Sequence, residues 1–198
     1  RALSFLPLSH VYERMLIYLY TRCGISIYYA ENINTVAENL KEVQPHIFVT
    51  VPRLLEKVYD KIVEKGASLS GIKKKLFYWA LDLGHQFENN VNQGIFYNFQ
   101  LWLANKIIFN KWREALGGNI IVIISGGAAL QPRLAKVFWA AQVKVMEGYG
   151  LTETSPVIAV NRPEEGNSMV GTVGLVLENV EAKIAPDGEI LTKGPHVM

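Results

Sequence analysis

The sequence holds a single cysteine, Cys23, among 198 residues. This excludes any disulfide within the chain and fits a reducing compartment such as the cytoplasm. Cys23 itself reads as a small buried hydrophobe. An excess of one charge is also missing. Twenty Lys and Arg against 18 Asp and Glu leave a formal net charge of +2, which gives a nucleic acid no electrostatic footing. Long apolar runs are missing as well. The greasiest stretch, MLIYLYTRCGISIYYA, is broken by Arg22 and Gly24, short of the roughly 18 to 20 uninterrupted apolar residues that span a bilayer. RALSFLPLSH lacks a sustained apolar core followed by a small-residue cleavage site, so it does not read as a signal peptide. A soluble protein is expected. No internal repeat, low-complexity tract, Ser–His–Asp or Cys–His arrangement stands out.

What is present is enough for a folded core. Nearly half the residues (49%) are apolar and 11% aromatic, a composition that disordered chains do not have. The length suits one domain, or one and a fraction. Arg1 opens directly into an apolar run, and ILTKGPHVM stops just after a strand-like segment. The expectation is a piece of a longer protein.

SFLPL reads as a short strand, followed by a helix with Ser9 as N-cap and Val11, Met15, Leu16, Ile17 and Leu19 at helical spacing. GISIYYA reads as a strand. NINTVAENLKEVQ reads as a helix capped by Asn34 or Thr35 and ended by Pro45. HIFVTV is apolar on both faces, which predicts an interior parallel strand. PRLLEKVYDKIVEKG is a helix with Pro52 in its first turn, Leu54, Leu55, Val58 and Ile62 on one face, and Gly66 as its stop. From Gly71 to Gly118 strand alternation disappears, and two long helices are predicted, near Ile72 to Asn89 and Ile95 to Leu116, broken at NNVNQG. NIIVIISGGAALQPRLAKVFWAAQ returns to strand, glycine turn and helix, and VKVMEGYG is a further strand. Beyond Pro163 the texture changes to short β segments, GTVGLVL, VEAKIA and GEILTKG, with PDG as a tight turn. The fold class is therefore α/β: a mostly parallel, doubly wound sheet with flanking helices, a long helical hairpin insert at about 71–118, and a short antiparallel β segment at the C-terminus. Residues 1–160 form the central α/β part and 161–198 begin a β-rich subdomain.

Two stretches could carry chemistry. In IIVIISGGAALQP, paired glycines follow a buried strand and Pro132 starts a helix. This is either a tight strand-to-helix turn or a bare backbone that lets a ligand approach closely. It is not a phosphate-binding loop of the usual kind, because the lysine and the serine or threonine of that pattern are missing. In MEGYGLTETSP, Gly148 and Gly150 flank Tyr149, so the backbone can bend while an aromatic plane is presented. Thr152 and Glu153 place a neutral donor beside an anionic oxygen. Such oxygens suit Mg²⁺, which takes one or two carboxylates plus substrate phosphates. Ring, hydroxyl and acid together would suit a nucleotide. An ordinary surface turn has the same spacing.

EGYGLTETSP, with SGGAALQP about twenty residues upstream, resembles the adenylate-forming superfamily of acyl-CoA synthetases, luciferases and peptide-synthetase adenylation domains. FLPLSHVYER, PRLLEKVYDKI and GIKKKLFYWALDLG are similar to long-chain fatty acyl-CoA synthetases in particular. The likeness runs from Phe5 to the last residue, in the order of that family's large N-terminal domain. It implies an ATP-dependent ligase that joins a long-chain fatty acid to coenzyme A through an acyl-adenylate, with Mg²⁺. It implies that Tyr149 stacks on adenine, Thr152 hydrogen-bonds the α-phosphate and Glu153 holds the metal ion. Gly126, Gly127 and Ala128 would line the nucleotide and acyl pockets. Glu147, Gly148 and Gly150 belong to the nucleotide-binding stretch, Glu147 and Gly148 close to the adenine. His10 matches a position near the acyl group and the phosphoryl-transfer centre; it could equally be a helix-start histidine satisfied by local backbone. The resemblance also implies a phosphate loop before Phe5, and a ribose-gripping aspartate, a hinge and a catalytic lysine after Met198. None lies within these 198 residues, so the span alone is expected to have no ligase activity. The alternatives are a non-catalytic α/β nucleotide-binding or interaction module, or an adenylating enzyme for a different carboxylic acid. The helical insert permits two readings as well. Lys73 to Lys75 could meet anionic headgroups with Phe77, Tyr78 and Trp79 at a membrane interface, or the apolar residues could pack as a hairpin on the sheet.

Overall fold

Five short apolar segments pair in parallel: β1 (Ala2–Ser4), β2 (Ile27–Tyr29), β3 (Ile47–Thr50), β4 (Val122–Ser125) and β5 (Lys144–Tyr149). Two antiparallel strands, β6 (Ala159–Val160) and β7 (Leu175–Val176), extend the sheet beyond β5. The strand order is β2-β1-β3-β4-β5-β6-β7, and a separate hairpin is formed by β8 (Glu181–Ile184) and β9 (Ile190–Lys193). This is a computed structural model, and it describes residues 1–164 and 166–198.

Successive strand residues point to opposite faces, and the interior strands are apolar on both. Leu3, Phe48, Ile123 and Val145 face a large core built with α2 (Val36–Val43), α3 (Pro52–Ala67), α4 (Gly71–His85), α6 (Asn110–Ala115) and α7 (Pro132–Ala140). Ala2 and Val49 face the other way, onto Leu16 and Tyr20 of α1 (Val11–Arg22). Helices thus cover both faces unevenly, one against many. Trp112 anchors the larger layer, with ring centroids 5.3–6.5 Å from Tyr59, Phe77, Phe109 and Phe138.

The predicted hairpin insert is present as α4 and α5 (Ile95–Ala104), joined by hydrogen bonds from Trp79 Nε1 to Gln100 Oε1 and from Tyr97 OH to Leu83 O. Its first helix stops at His85 rather than Asn89, where Asn89 and Asn90 instead donate their side-chain amides to Ser168 O. Its second helix carries a π-helical turn, Asn105–Phe109, ahead of α6. The cause is the buried Asn105, whose amide donates to both Leu101 O and Ala140 O while Arg113 donates to its Oδ1. A side chain entering the backbone ladder in this way shifts its register.

Other expectations are corrected. The N-cap of α1 is His10, not Ser9. Leu19 is exposed, and Tyr20 takes the buried place on that helix. Thr35 caps α2 without a side-chain bond to the helix, because its hydroxyl donates to Asn32 O. Gly66 does not stop α3. It lies inside the helix where the Phe77 ring comes so close that a Cβ would sit 2.1 Å from Cε1. Cys23 is exposed rather than buried. GTVGLVL yields only the two residues of β7, since Gly174, at φ +80°, lies against the Asn161 backbone and turns the chain. Phe77 is buried in the core, so its ring is not presented to a membrane interface, while Trp79 is half-buried and donates to Gln100. Among the described residues no helix is long and apolar enough to cross a membrane.

Because β1, β3, β4 and β5 are parallel neighbours, their carboxyl ends all open on one edge of the sheet. The order β2-β1-β3-β4-β5 makes β1 and β3 the point where the winding reverses, the place at which open α/β sheets form a ligand crevice.

Candidate functional site

The four exits bring together the segments singled out in the sequence. β4 pairs with β5 so that Ser125 lies opposite Glu147, with Thr50 of β3 on the other side of Ser125. The diglycine bend leaving β4 and the GYGLTE segment leaving β5 are therefore adjacent.

The bend is fixed from three sides. Gly126 N donates to Thr50 O at 3.2 Å. A Cβ on Gly126 would lie 3.0 Å from the Tyr12 ring, whose hydroxyl donates to Ile124 O at 3.3 Å. Burial pushes the Tyr12 phenol upward, so it stays a neutral donor. Gly127 takes φ +81°, a left-handed conformation suited to glycine, with Val51 Cγ1 at 4.0 Å from its added Cβ. Gly127 and Ala128 are exposed.

Glu147 is the third support. It is 7% exposed, and its Oε2 accepts from Leu130 N at 3.0 Å. Its carboxylate is thus turned into the protein and ties the bend to β5. Burial raises its pKa above the ordinary carboxylate value, while the Leu130 N–H bond pulls it partly back.

Beyond β5 the chain closes a tight loop. Tyr149 pairs with Ala159, and its carbonyl accepts from Ile158 N at 2.8 Å. Its ring is half-buried. Gly150 passes so near Pro156 O that a Cβ would sit 1.6 Å from it, which requires glycine there. A 3₁₀ turn follows, Thr152–Thr154. Thr154 points inward: its hydroxyl accepts from Leu151 N at 2.9 Å and lies 3.0 Å from Pro156 O. Thr152 and Glu153 point outward and are exposed. Among the described residues no hydrogen bond or ion pair engages the Glu153 carboxylate, and no group of three or more His, Cys, Asp and Glu gathers. A lone accessible carboxylate suits a Mg²⁺ ion that arrives with phosphates, and does not suit an ion caged by protein.

His10 stands at the exit of β1, where it caps α1 by accepting at Nδ1 from Tyr12 N at 3.2 Å. As an acceptor, Nδ1 carries no proton, which leaves Nε2–H as a donor. Its neighbour Tyr12 touches the diglycine bend, so His10 belongs to the same edge as the other candidates. Sequence reasoning missed Tyr12, Val51, Leu130 and Thr154. Tyr12 was within reach, since residues 12, 16 and 20 share the spacing of one helical face. Nothing in the sequence marked the Leu130 amide as the partner of Glu147.

The sequence model described as "AMP-binding enzyme" matches residues 1–198. The chain is 32% identical to long chain acyl-CoA synthetase 3 of Arabidopsis thaliana, over 97% of its own length and 30% of that protein. It is likewise 32% identical to a long-chain-fatty-acid–CoA ligase of Mycobacterium bovis, over 98% of this chain and 32% of the relative. It therefore spans about a third of the length of these relatives. In fold it is similar to the o-succinylbenzoate coenzyme A synthetase of Bacillus subtilis solved in complex with ATP and magnesium ion. That likeness has a TM-score of 0.61 at 20% identity and covers 100% of this chain and 33% of the other.

Proposed function

We propose that this chain, which belongs to the AMP-binding enzyme family, supplies the nucleotide side of the adenylating domain of a long-chain fatty acid–CoA ligase. The observation that carries this reading is the pairing of β4 with β5, which sets the diglycine bend beside a braced loop whose Thr152 and Glu153 face outward.

In the reaction proposed, a fatty acid carboxylate attacks the α-phosphorus of ATP, pyrophosphate leaves and an acyl-adenylate forms. The thiol of coenzyme A then attacks the acyl carbon and AMP departs. The half-buried Tyr149 ring stacks on the adenine. Gly126 and Gly127 let ligand atoms approach a backbone that carries no Cβ, with Ala128 beside them. Thr152 donates its hydroxyl to an α-phosphate oxygen, and His10 has Nε2–H available for an oxygen of the acyl or phosphoryl group. Charge that grows on those oxygens is stabilised more in the transition state than in the ground state, which is where rate acceleration arises. Glu153 would hold Mg²⁺, which when bound neutralises phosphoryl charge. No side-chain nucleophile is needed.

The test is acid-dependent ATP–pyrophosphate exchange and thioester formation by the complete protein over a series of saturated fatty acids. Turnover with long-chain acids and none with acetate is expected. Exchange that no fatty acid stimulates would overturn the reading. The 198-residue span alone is expected to give no exchange, because it covers only about a third of the length of the long-chain relatives it matches.

A further inference from the structure

On the helical layer, α3, α4 and α6 converge on a cavity of ≈ 410 Å³, within the range of about 300–1,000 Å³ typical of small-molecule sites. Its floor is apolar, formed by Ile62, Leu69, Phe77 and Trp112, and its rim carries Lys65, Lys73 and Lys111, one from each helix. No Asp or Glu lines it. Among the described residues none of the three lysines has an ion-pair partner. Lys73 also stands in the first turn of α4, which holds no acidic residue, where the helix dipole disfavours a cation. Apolar surface left to water and like charges left unpaired are both unfavourable, and one kind of ligand relieves both.

We propose that this cavity binds a single-chain anionic amphiphile, its hydrocarbon against Ile62, Leu69 and Ile107 and its head group among Lys65, Lys73 and Lys111. Lysines act as point charges rather than as planar forks, so the site selects negative charge and an alkyl tail over any particular head-group geometry. The cavity is remote from the adenylating edge. α3 leaves the carboxyl end of β3 at Pro52 and runs 16 residues, about 24 Å at 1.5 Å per residue, before its last turn reaches the rim. The proposal rests on no part of the ligase reading.

The probe is sodium dodecanoate below its micelle concentration, titrated calorimetrically into the complete protein whose acyl site is already filled by a saturating non-hydrolysable hexadecanoyl-adenylate analogue, so that only a second site is read. Saturable 1:1 binding is expected, weakened by added salt. The Lys65→Gln, Lys73→Gln, Lys111→Gln triple variant loses at least about tenfold in affinity, whereas the matching Lys→Arg triple, which keeps the charges, stays within about threefold. Dodecanol, which has the tail without the charge, binds at least about tenfold more weakly, and acetate does not bind. Ala115→Trp, which fills the cavity from its rim, abolishes binding at an unchanged melting temperature. Wild-type affinity in the glutamine triple overturns the proposal. So does binding to anionic phospholipid vesicles with none to the monomer, which would make this a membrane-facing surface instead.

Discussion

Replacing Glu153 with Gln in the complete protein is expected to lower acid-dependent ATP–pyrophosphate exchange by about 10²–10³-fold, the loss seen when one preorganised charge-stabilising group is removed from a transition state. Glutamine keeps the size and the carbonyl of glutamate but not the charge, and Mg²⁺ prefers hard anionic oxygen. The Glu153 side chain is exposed and its carboxylate makes no hydrogen bond or ion pair among the described residues, so stability should stay within about 0.5 kcal/mol of wild type. Raising the Mg²⁺ concentration should recover part of the lost rate, by mass action on a weakened site. A variant with full exchange at low Mg²⁺ would remove Glu153 from the metal-holding role.

Glu147 makes the opposite kind of prediction, large in stability and dependent on pH. In Glu147→Ala the Leu130 amide is left without its buried acceptor, an omission that costs about 1–3 kcal/mol. In Glu147→Gln the side-chain carbonyl still accepts that bond, and the cost of burying an anion is gone. Because burial raises the Glu147 pKa above its ordinary value of 4.5, the native state holds this proton more tightly than the unfolded chain does. Stability therefore declines as pH rises from about 4.5 through the raised folded value and is level above it. Glu147→Gln should flatten that decline and match or exceed wild type at pH 7. Glu13, whose pKa is also raised by burial, remains in both proteins, so their difference reports Glu147 alone. Thermal melts from pH 4 to 8 check this, and a glutamine variant as unstable as the alanine one would contradict the bracing role.

Much of the framework was legible because its cause is periodic. The apolar runs of β3 and β4 announce interior parallel strands, and Leu54, Leu55, Val58 and Ile62 do pack along one side of α3. The segments EGYGLTE and SGGAA could be picked out because glycine and hydroxyl spacing constrains the backbone. Less legible was anything decided by one atom reaching another far along the chain. Glu147 could be seen as an acid near a nucleotide segment, but not as an acceptor for an amide 17 residues away. Asn105 reads as a polar residue on a helix, while its bonds to Leu101 and Ala140 carbonyls are what reshape that helix. Gly66 reads as a stop by composition, and only the Phe77 ring arriving from α4 explains why a glycine is needed inside α3. Ser9 and His10 compete for the same cap, and the imidazole prevails because its Nδ1 reaches Tyr12 N.

The account stands on the loop from Tyr149 to Glu153 enclosing the purine of ATP. Photolabelling of the complete protein with 8-azido-ATP and Mg²⁺, followed by peptide mapping, tests this most directly. The label should fall on the peptide that contains Tyr149 and should be suppressed by excess ATP. Labelling confined to the helical insert, or left undiminished by ATP, would contradict it.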